Sequence, residues 1–196
     1  MYCESCSPGN YCPTGEAEVA VTSGSGDTYY YALGGTSFER LVKPGEAFMG
    51  VDQEPTPCPS GSYWDTSGNP TCVTCDVGYM CPNPSRKDTE GGKIECTNGY
   101  VALVEGLSVC EMCPAGYECA DGSSITPCSG GWFSLGAYTA CVECPKGYQC
   151  ESTTEIPELC PPGYSSDAGM QYCSLCGESE DCPNVDEVNQ DPCLAG

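Results

Sequence analysis

One cysteine spacing, Cys-x2-Cys-x5-Cys, occurs five times in this chain and constrains its fold more than any other feature. Each copy is followed by one further cysteine, so all 20 cysteines fall into five quartets. A spacing that recurs along a chain is the signature of a repeat protein. The quartets are Cys3/Cys6/Cys12/Cys58, Cys72/Cys75/Cys81/Cys96, Cys110/Cys113/Cys119/Cys128, Cys141/Cys144/Cys150/Cys160 and Cys173/Cys176/Cys182/Cys193.

The chain is too poor in aliphatic residues to build one large packed core. Leu, Ile, Val and Phe make up 26 of its 196 residues, a low fraction for a protein that folds by apolar burial alone. Cysteine, in contrast, contributes 20 residues, a density typical of small secreted domains held together by disulfides. We therefore predict a small disulfide-rich fold in an oxidising, extracellular environment, secreted or at a cell surface.

Glycine and aromatic residues recur at fixed positions after the cysteines. The second cysteine of a quartet is followed by glycine and tyrosine in Cys113-Pro-Ala-Gly-Tyr and Cys144-Pro-Lys-Gly-Tyr, and a fourth cysteine is followed in the same way in Cys160-Pro-Pro-Gly-Tyr. Glycine readily adopts the positive φ that tight turns require. The segments between turns, such as residues 131–136, are short and β-compatible. The pattern predicts a small disulfide-rich fold of loops and short β-ribbons, with almost no helix, arranged as an elongated tandem array of small modules.

Two of these runs resemble a known family of modules. Residues 110–119 and 160–165 are similar to the ephrin-receptor-like cysteine-rich repeat, a short relative of EGF and TNF-receptor modules, and the likeness covers nearly the whole chain. Such repeats are found in large extracellular proteins of protists and algae, including flagellar-hair proteins, and in animal receptor ectodomains. The resemblance implies an extracellular modular protein, an elongated tandem array of EGF-like cysteine-rich modules. The predicted modules are 1–71, 72–109, 110–140, 141–172 and an atypical fifth, 173–196.

Spacing alone leaves the disulfide pairing open, because four cysteines allow three pairings. In a TNF-receptor-like scheme the fourth cysteine bonds forward, as Cys128–Cys141, and leaves Cys3 and Cys193 without partners in this chain. In an interlaced scheme the first cysteine of a quartet pairs with the third and the second with the fourth. We favour the interlaced scheme because it closes every quartet. It predicts Cys3–Cys12, Cys6–Cys58, Cys72–Cys81, Cys75–Cys96, Cys110–Cys119, Cys113–Cys128, Cys141–Cys150, Cys144–Cys160, Cys173–Cys182 and Cys176–Cys193.

Residues 13–57 form an insertion within the first quartet. Partial alternation at 16–22, a Ser-Gly-rich turn at 23–27 and strand-forming residues at 28–31 predict a β-hairpin, and a further strand is predicted at 38–42. Three consecutive tyrosines place rings on both faces of a strand, and a module with little interior cannot cover both. One interpretation is a docking interface on another chain. The alternative is a loop folded back on its own module. The interface residues would be Tyr29, Tyr30, Tyr31 and Phe38.

The net charge of −22, from 28 acidic and 6 basic residues, argues against nucleic acid and anionic lipid surfaces as partners, because both would be repelled. No apolar run approaches the ~20 residues of a membrane span, so we expect no direct membrane insertion. Divalent cations and basic proteins are compatible with the charge, which also keeps a surface protein soluble. The segment 184–196 resembles the opening of a calcium-binding EGF module, although Val188 stands where that family has cysteine. The resemblance implies possible calcium ligation by Asn184, Asp186 and Glu187; solvated acidic residues are the alternative.

The sequence offers no recognisable catalytic machinery. It contains no histidine and therefore no Ser-His or Cys-His nucleophile, and it has no Gly-rich phosphate loop. Repeated Cys-x2-Cys pairs bind zinc in intracellular proteins, but the turn-rich composition favours disulfides. We therefore predict a non-enzymatic protein with no cofactor other than possible calcium. Glycans are possible at Ser/Thr clusters 123–126 and 152–154, and Asn10-Tyr-Cys is a poor variant of an N-glycan site.

Two functions fit these features. The first is a structural subunit that packs with copies of itself, or with homologous repeat proteins, into an extracellular fibre, filament or coat. The second is a spacer or ligand-binding part of a receptor or adhesion ectodomain. Cation storage or sensing by the acidic surface is a third hypothesis. The repeats by themselves are compatible with all of them.

Overall fold

The computed structural model describes residues 6–14 and 17–176. Within them, twenty short β-strands and one 3₁₀-helix, Asp88–Glu90, form the regular structure. Each strand pairs with its neighbour along the chain, so the described residues form a succession of ten antiparallel two-stranded hairpins. This confirms the predicted disulfide-rich fold of short β-ribbons with almost no helix.

Nine of the hairpins have two-residue strands, and one has four-residue strands. A single hairpin of this size is not stable alone in water, so its stability depends on disulfides and on its neighbours. In chain order the pairs are β1 (Asn10–Tyr11) with β2 (Val19–Ala20), β3 (Tyr30–Tyr31) with β4 (Arg40–Leu41), β5 (Glu46–Ala47) with β6 (Thr56–Pro57), β7 (Ser62–Asp65) with β8 (Thr71–Thr74), β9 (Tyr79–Met80) with β10 (Ile94–Glu95), β11 (Tyr100–Val101) with β12 (Glu111–Met112), β13 (Tyr117–Glu118) with β14 (Thr126–Pro127), β15 (Trp132–Phe133) with β16 (Val142–Glu143), β17 (Tyr148–Gln149) with β18 (Glu158–Leu159) and β19 (Tyr164–Ser165) with β20 (Ser174–Leu175).

The same backbone hydrogen bond closes most of the hairpins. The residue before the first strand, usually a glycine, accepts a bond at its carbonyl oxygen from the N–H of the residue after the second strand. In hairpin β15–β16, Cys144 donates to the Gly131 oxygen at 2.8 Å, and Gly131 has a φ of 82°. Glycine adopts this left-handed conformation without the steric cost that other residues meet. Its fixed offset from cysteine therefore marks where a hairpin begins.

Valine replaces cysteine after the second strand in two hairpins. Val21 donates its N–H to the Gly9 oxygen at 2.9 Å, and Val42 donates to the Tyr29 oxygen at 2.8 Å. Both valine side chains are buried. The described part of the insertion 13–57 is therefore built from the same kind of hairpin as the rest of the described chain. Two of these hairpins carry a buried valine where other copies carry a disulfide-bonded cysteine.

The hairpin predicted between residues 16–22 and 28–31 is wrong. Val19–Ala20 pair with Asn10–Tyr11 instead. Tyr30–Tyr31 pair with Arg40–Leu41, which lie inside the strand predicted at 38–42. The alternation in 16–22 does indicate a strand, but that strand pairs with Asn10–Tyr11, which precede it in the chain, and not with the next strand downstream.

Seven disulfides within the described residues each close a local loop. Four of them join cysteines six residues apart, and three join cysteines 13 or 14 residues apart. The short loops are Cys6–Cys12, Cys75–Cys81, Cys113–Cys119 and Cys144–Cys150, and the long loops are Cys58–Cys72, Cys128–Cys141 and Cys160–Cys173. Cys96, Cys110 and Cys176 are disulfide-bonded as well.

This pairing overturns the interlaced scheme, and it confirms the forward bond Cys128–Cys141 of the alternative. The physical reason is the contact between successive hairpins. Cys128 directly follows β14, and the Cys141 N–H donates to the carboxylate of Glu118, at 3.0 Å, in the strand paired with β14. The contradicted predictions are Cys3–Cys12, Cys6–Cys58, Cys72–Cys81, Cys75–Cys96, Cys110–Cys119, Cys113–Cys128, Cys141–Cys150, Cys144–Cys160 and Cys173–Cys182. The predicted Cys176–Cys193 bond extends outside the described residues.

The chain divides into two compact units. Unit 1 comprises Met1–Glu95 and Val104–Cys110, and unit 2 comprises Cys96–Leu103 and Glu111–Gly196. Each contains an apolar cluster. In unit 1 it is Tyr29, Tyr31 and Val42, and in unit 2 it is Val101 with the Cys113–Cys119 disulfide, against which Tyr117 packs. The predicted module boundaries stay predictions. Three disulfides each join residues on either side of a predicted boundary: Cys58–Cys72, Cys128–Cys141 and Cys160–Cys173.

Hairpins within unit 2 pack backbone against backbone at two glycines. A Cβ atom on Gly131 would lie 1.8 Å from the Gly169 oxygen, and one on Gly99 would lie 2.1 Å from the Ala137 oxygen. Ser134, which follows β15, is fully buried and donates its N–H to the Thr153 oxygen at 3.0 Å. These contacts leave no space for a side chain at either glycine.

Replacing Ala137 by glycine is expected to raise the free energy of unfolding by about 1 kcal/mol. Ala137 has a φ of 58°, in the left-handed region that costs an L-residue roughly 1–2 kcal/mol, and glycine removes that strain at a smaller entropic cost. Chemical denaturation would measure the change. The control is Ala115→Gly, at a residue without positive φ, which should be destabilising by about 0.5–1 kcal/mol. Equal losses in the two variants would contradict the prediction.

Candidate functional site

The predicted tyrosine interface is wrong for two of its four residues. Tyr29 and Tyr31 are buried at 6% and 8% exposure, in the cluster with Val42. The Tyr29 hydroxyl donates to the Gly68 oxygen at 3.2 Å, and its ring lies 5.1 Å from that of Phe48. Both tyrosines therefore find their partners within unit 1. The alternative that the sequence left open, a segment folded on its own module, describes them correctly.

The strand Arg40–Leu41 of the same hairpin, and the residues around it, carry exposed side chains. Phe38 and Leu41 are 60% and 48% exposed, and Arg40 and Lys43 are exposed beside them. Tyr30, which pairs with Leu41 across the hairpin, is half-buried. We refer to Phe38, Arg40, Leu41 and Lys43 as the basic patch. It combines apolar area with positive charge, in a chain with only six basic residues.

Two other lysines in unit 1 are held between a carboxylate and an aromatic ring. The first is Lys93, which bonds to Asp76 and lies 4.3 Å from the centre of the Tyr79 ring. The hydrogen bond to Asp76, more than any other interaction, raises the pKa of Lys93. An ammonium group in this position gains both ionic and cation–π attraction.

The second case is Lys87, which bonds to Asp27 and lies 5.8 Å from the centre of the Trp64 ring. Hydrogen bonds to the Asp27 carboxylate, first from Lys87 and then from Thr66, hold the pKa of Asp27 below its usual value. Trp64 is itself fixed, because its indole N–H donates to the Glu46 oxygen at 2.9 Å. Unit 1 therefore uses the combination of an aromatic ring and a carboxylate twice to bind an ammonium group.

Unit 2 exposes one aromatic residue at the same position of three hairpins. Tyr100, Trp132 and Tyr164 are 44%, 37% and 42% exposed, and each opens the first strand of its hairpin. Their cross-strand partners are Met112, Glu143 and Leu175. Side chains directly opposite on paired strands lie close together. Two of these pairs are therefore apolar, and the third joins an indole ring to a carboxylate.

The third pair forms what we call the acidic patch: Trp132 and Glu143. Both side chains are exposed. The ion pairs in the described part of the chain are Lys87–Asp27, Lys93–Asp76 and Lys146–Asp167, so none involves Glu143. The acidic patch offers the same pair of groups that binds lysine in unit 1, but none of the described lysines occupies it.

Neither patch was predicted as a whole from the sequence. Phe38 was predicted as an interface residue, and it is exposed as required. The distribution of basic residues along the chain could have indicated the basic patch, because Arg40, Lys43 and three others of the six lie in unit 1. The Trp132–Glu143 pair depends on strand register, which the sequence does not specify directly.

The turn between β13 and β14 holds a carboxylate with a perturbed pKa. Asp121 accepts hydrogen bonds from the Ser123 N–H at 2.8 Å, the Ser123 hydroxyl at 2.8 Å and the Ser124 hydroxyl at 3.0 Å. These bonds, led by the one from the Ser123 N–H, lower the pKa of Asp121. The arrangement fixes the turn and is fully explained as local structure.

Asp121 is expected to titrate at lower pH in the folded chain than in the urea-unfolded chain, as followed by carboxyl ¹³C chemical shifts. Its contribution to stability is then complete above the unfolded-state pKa and is lost as the pH falls through the folded-state pKa. The Ser123→Ala/Ser124→Ala variant should raise the folded-state pKa partway, because the backbone donor remains. Coincident titration of the folded and unfolded chains would refute this assignment.

The proposed calcium ligands Asn184, Asp186 and Glu187 lie outside the described residues. Within residues 6–14 and 17–176, no group of three or more Cys, Asp or Glu side chains is arranged to hold a metal ion. In the same residues, no helix is long and apolar enough to cross a membrane.

The chain matches no established protein-family profile and no curated protein sequence.

Proposed function

We propose that this is a non-enzymatic extracellular structural protein that assembles into a fibre, filament or surface coat. The observation that carries the proposal is the placement of Tyr100, Trp132 and Tyr164, exposed aromatic residues at equivalent positions of three hairpins in unit 2. Exposed aromatic residues are enriched at protein interfaces. A surface that recurs along a repeat can be matched by complementary surfaces on other copies or on homologous repeats.

The disulfides support the extracellular part of the proposal. Short-range bonds along the chain replace an apolar core, and such bonds persist in oxidising compartments and not in the cytosol. The cysteine-rich repeat that the sequence resembles is common in extracellular modular proteins, and we propose the same environment here. A non-enzymatic role agrees with the absence of histidine from the sequence.

The proposal is tested by the native size of the non-reduced protein. Light scattering over a range of concentrations, with electron microscopy of the same samples, should show ordered polymers that form with and without calcium. A monodisperse monomer under all conditions would refute assembly by this chain. That result would favour the alternative function, a spacer or ligand-binding part of a receptor or adhesion ectodomain.

A further inference from the structure

We propose that copies of this chain associate head to tail, with the basic patch in unit 1 of one copy bound to the acidic patch in unit 2 of the next. The inference rests on the proposed function and names the contact through which the protein would assemble. The occupant of each patch is thus a second copy of the same chain.

Charge complementarity is the first argument. Two copies that each carry a net charge of −22 repel one another, and only contacts within about 8 Å escape screening at physiological salt. A favourable contact therefore has to bring basic residues of one copy against acidic residues of the next. Arg40 and Lys43 meet this requirement, because both are exposed and neither takes part in an ion pair within the described part of the chain.

The two patches also match in apolar character. Phe38 and Leu41 are well exposed for large apolar residues, at 60% and 48%. On the acidic patch, the Trp132 ring is 37% exposed. An interface core of aromatic and aliphatic residues with charged groups beside it is the usual organisation of a protein–protein contact.

The chemistry of the acidic patch is the third argument. In unit 1, Lys93 lies over the Tyr79 ring and Lys87 near the Trp64 ring, and each also bonds to a carboxylate. Trp132 and Glu143 lie opposite each other across β15–β16 and present the same two groups. Either basic residue of the basic patch of a second copy can supply the missing cation, with both ionic and cation–π attraction.

The two patches are different surfaces, and this determines the kind of assembly. A contact between unlike surfaces is heterologous, so each end of a growing assembly still presents one free patch. If the rotation between copies does not close a ring, the contact continues into an open filament. The inference therefore specifies the interface of the proposed fibre.

Charge reversal in either patch tests the contact, with the critical concentration measured by sedimentation and light scattering on the full, oxidised chain. Arg40→Glu and Glu143→Lys should each raise the critical concentration at least about tenfold, since like charges would face each other in the contact. The matched controls are Arg86→Glu and Glu155→Lys, which reverse a charge in the same direction at exposed residues that lie outside the patches and in none of the ion pairs of the described chain. They should assemble at about the wild-type concentration.

Mixing the two defective variants gives a sharper result. An equimolar mixture of Arg40→Glu and Glu143→Lys should polymerise again, because the altered patch of one variant is complementary to the altered patch of the other, and their unaltered patches still match. Unchanged assembly of both variants on their own would overturn the head-to-tail contact and leave the proposed function standing. A wild-type chain that stays monomeric would overturn the proposed function itself.

Discussion

Gly131→Ala is expected to lower the free energy of unfolding by about 3 kcal/mol, whereas Gly163→Ala should lower it by only about 1 kcal/mol. Both glycines follow cysteine at the same offset and have nearly the same φ, 82° and 85°. The backbone strain of a left-handed alanine is therefore common to both variants. Comparing the two variants therefore measures how much of the destabilisation comes from atoms close to the added Cβ.

The surroundings of the two glycines differ sharply. A Cβ on Gly131 would lie 1.8 Å from the Gly169 oxygen and 2.6 Å from its carbonyl carbon. Backbone atoms have to move to relieve that overlap, which costs roughly 1–3 kcal/mol beyond the strain. A Cβ on Gly163 meets no atom within 4 Å. Urea denaturation of both oxidised variants measures the difference, and equal destabilisation would show that hairpins in unit 2 do not pack as described.

Removing the Cys113–Cys119 disulfide with a double serine variant is expected to destabilise the chain by about 3 kcal/mol. Closing a loop of this length contributes roughly 2 kcal/mol through the entropy of the unfolded chain. The rest arises because both residues are almost fully buried beside Val101, at 0% and 2% exposure, where a serine hydroxyl is less favourable than sulfur. Urea denaturation under non-reducing conditions would measure this loss.

A second variant turns the same experiment into a test of pairing. Cys113→Ser/Cys119→Ser removes both ends of one bond and should yield no new free thiol. Cys113→Ser/Cys128→Ser breaks two bonds and should expose two thiols, at Cys119 and Cys141, in a thiol titration of the denatured chain. The interlaced scheme requires the opposite counts, so either result separates the two pairings.

The local fold could be predicted well because its signals are local. Cysteine with glycine three residues later, as in Cys128 to Gly131, specifies a turn with positive φ and a strand after it. The density of cysteine predicted a disulfide core in place of an apolar one, and ten of the buried apolar residues in the described chain are cysteines. Both arguments need only residues that are close together along the chain.

Pairing and surface could not be predicted in the same way. Whether Cys141 bonds to Cys128 or to Cys150 depends on which strands come together. Grouping the cysteines into quartets placed Cys128 and Cys141 in different modules and so hid the bond between them. The burial of Tyr31 depends on Val42, which looks like an ordinary strand residue until its place in the hairpin is known. The pairing of Trp132 with Glu143 depends on register. Each of these properties arises from pairing between strands.

The short range of the disulfides has a consequence for how the protein is made. Each of the seven bonds described above joins two cysteines that are consecutive in the sequence, as in Cys144–Cys150 and Cys160–Cys173. During synthesis at ~5–20 residues per second, the second cysteine of such a pair follows the first within a few seconds. Each of these bonds therefore needs no residue from a distant part of the chain and can form as soon as its own segment has been made.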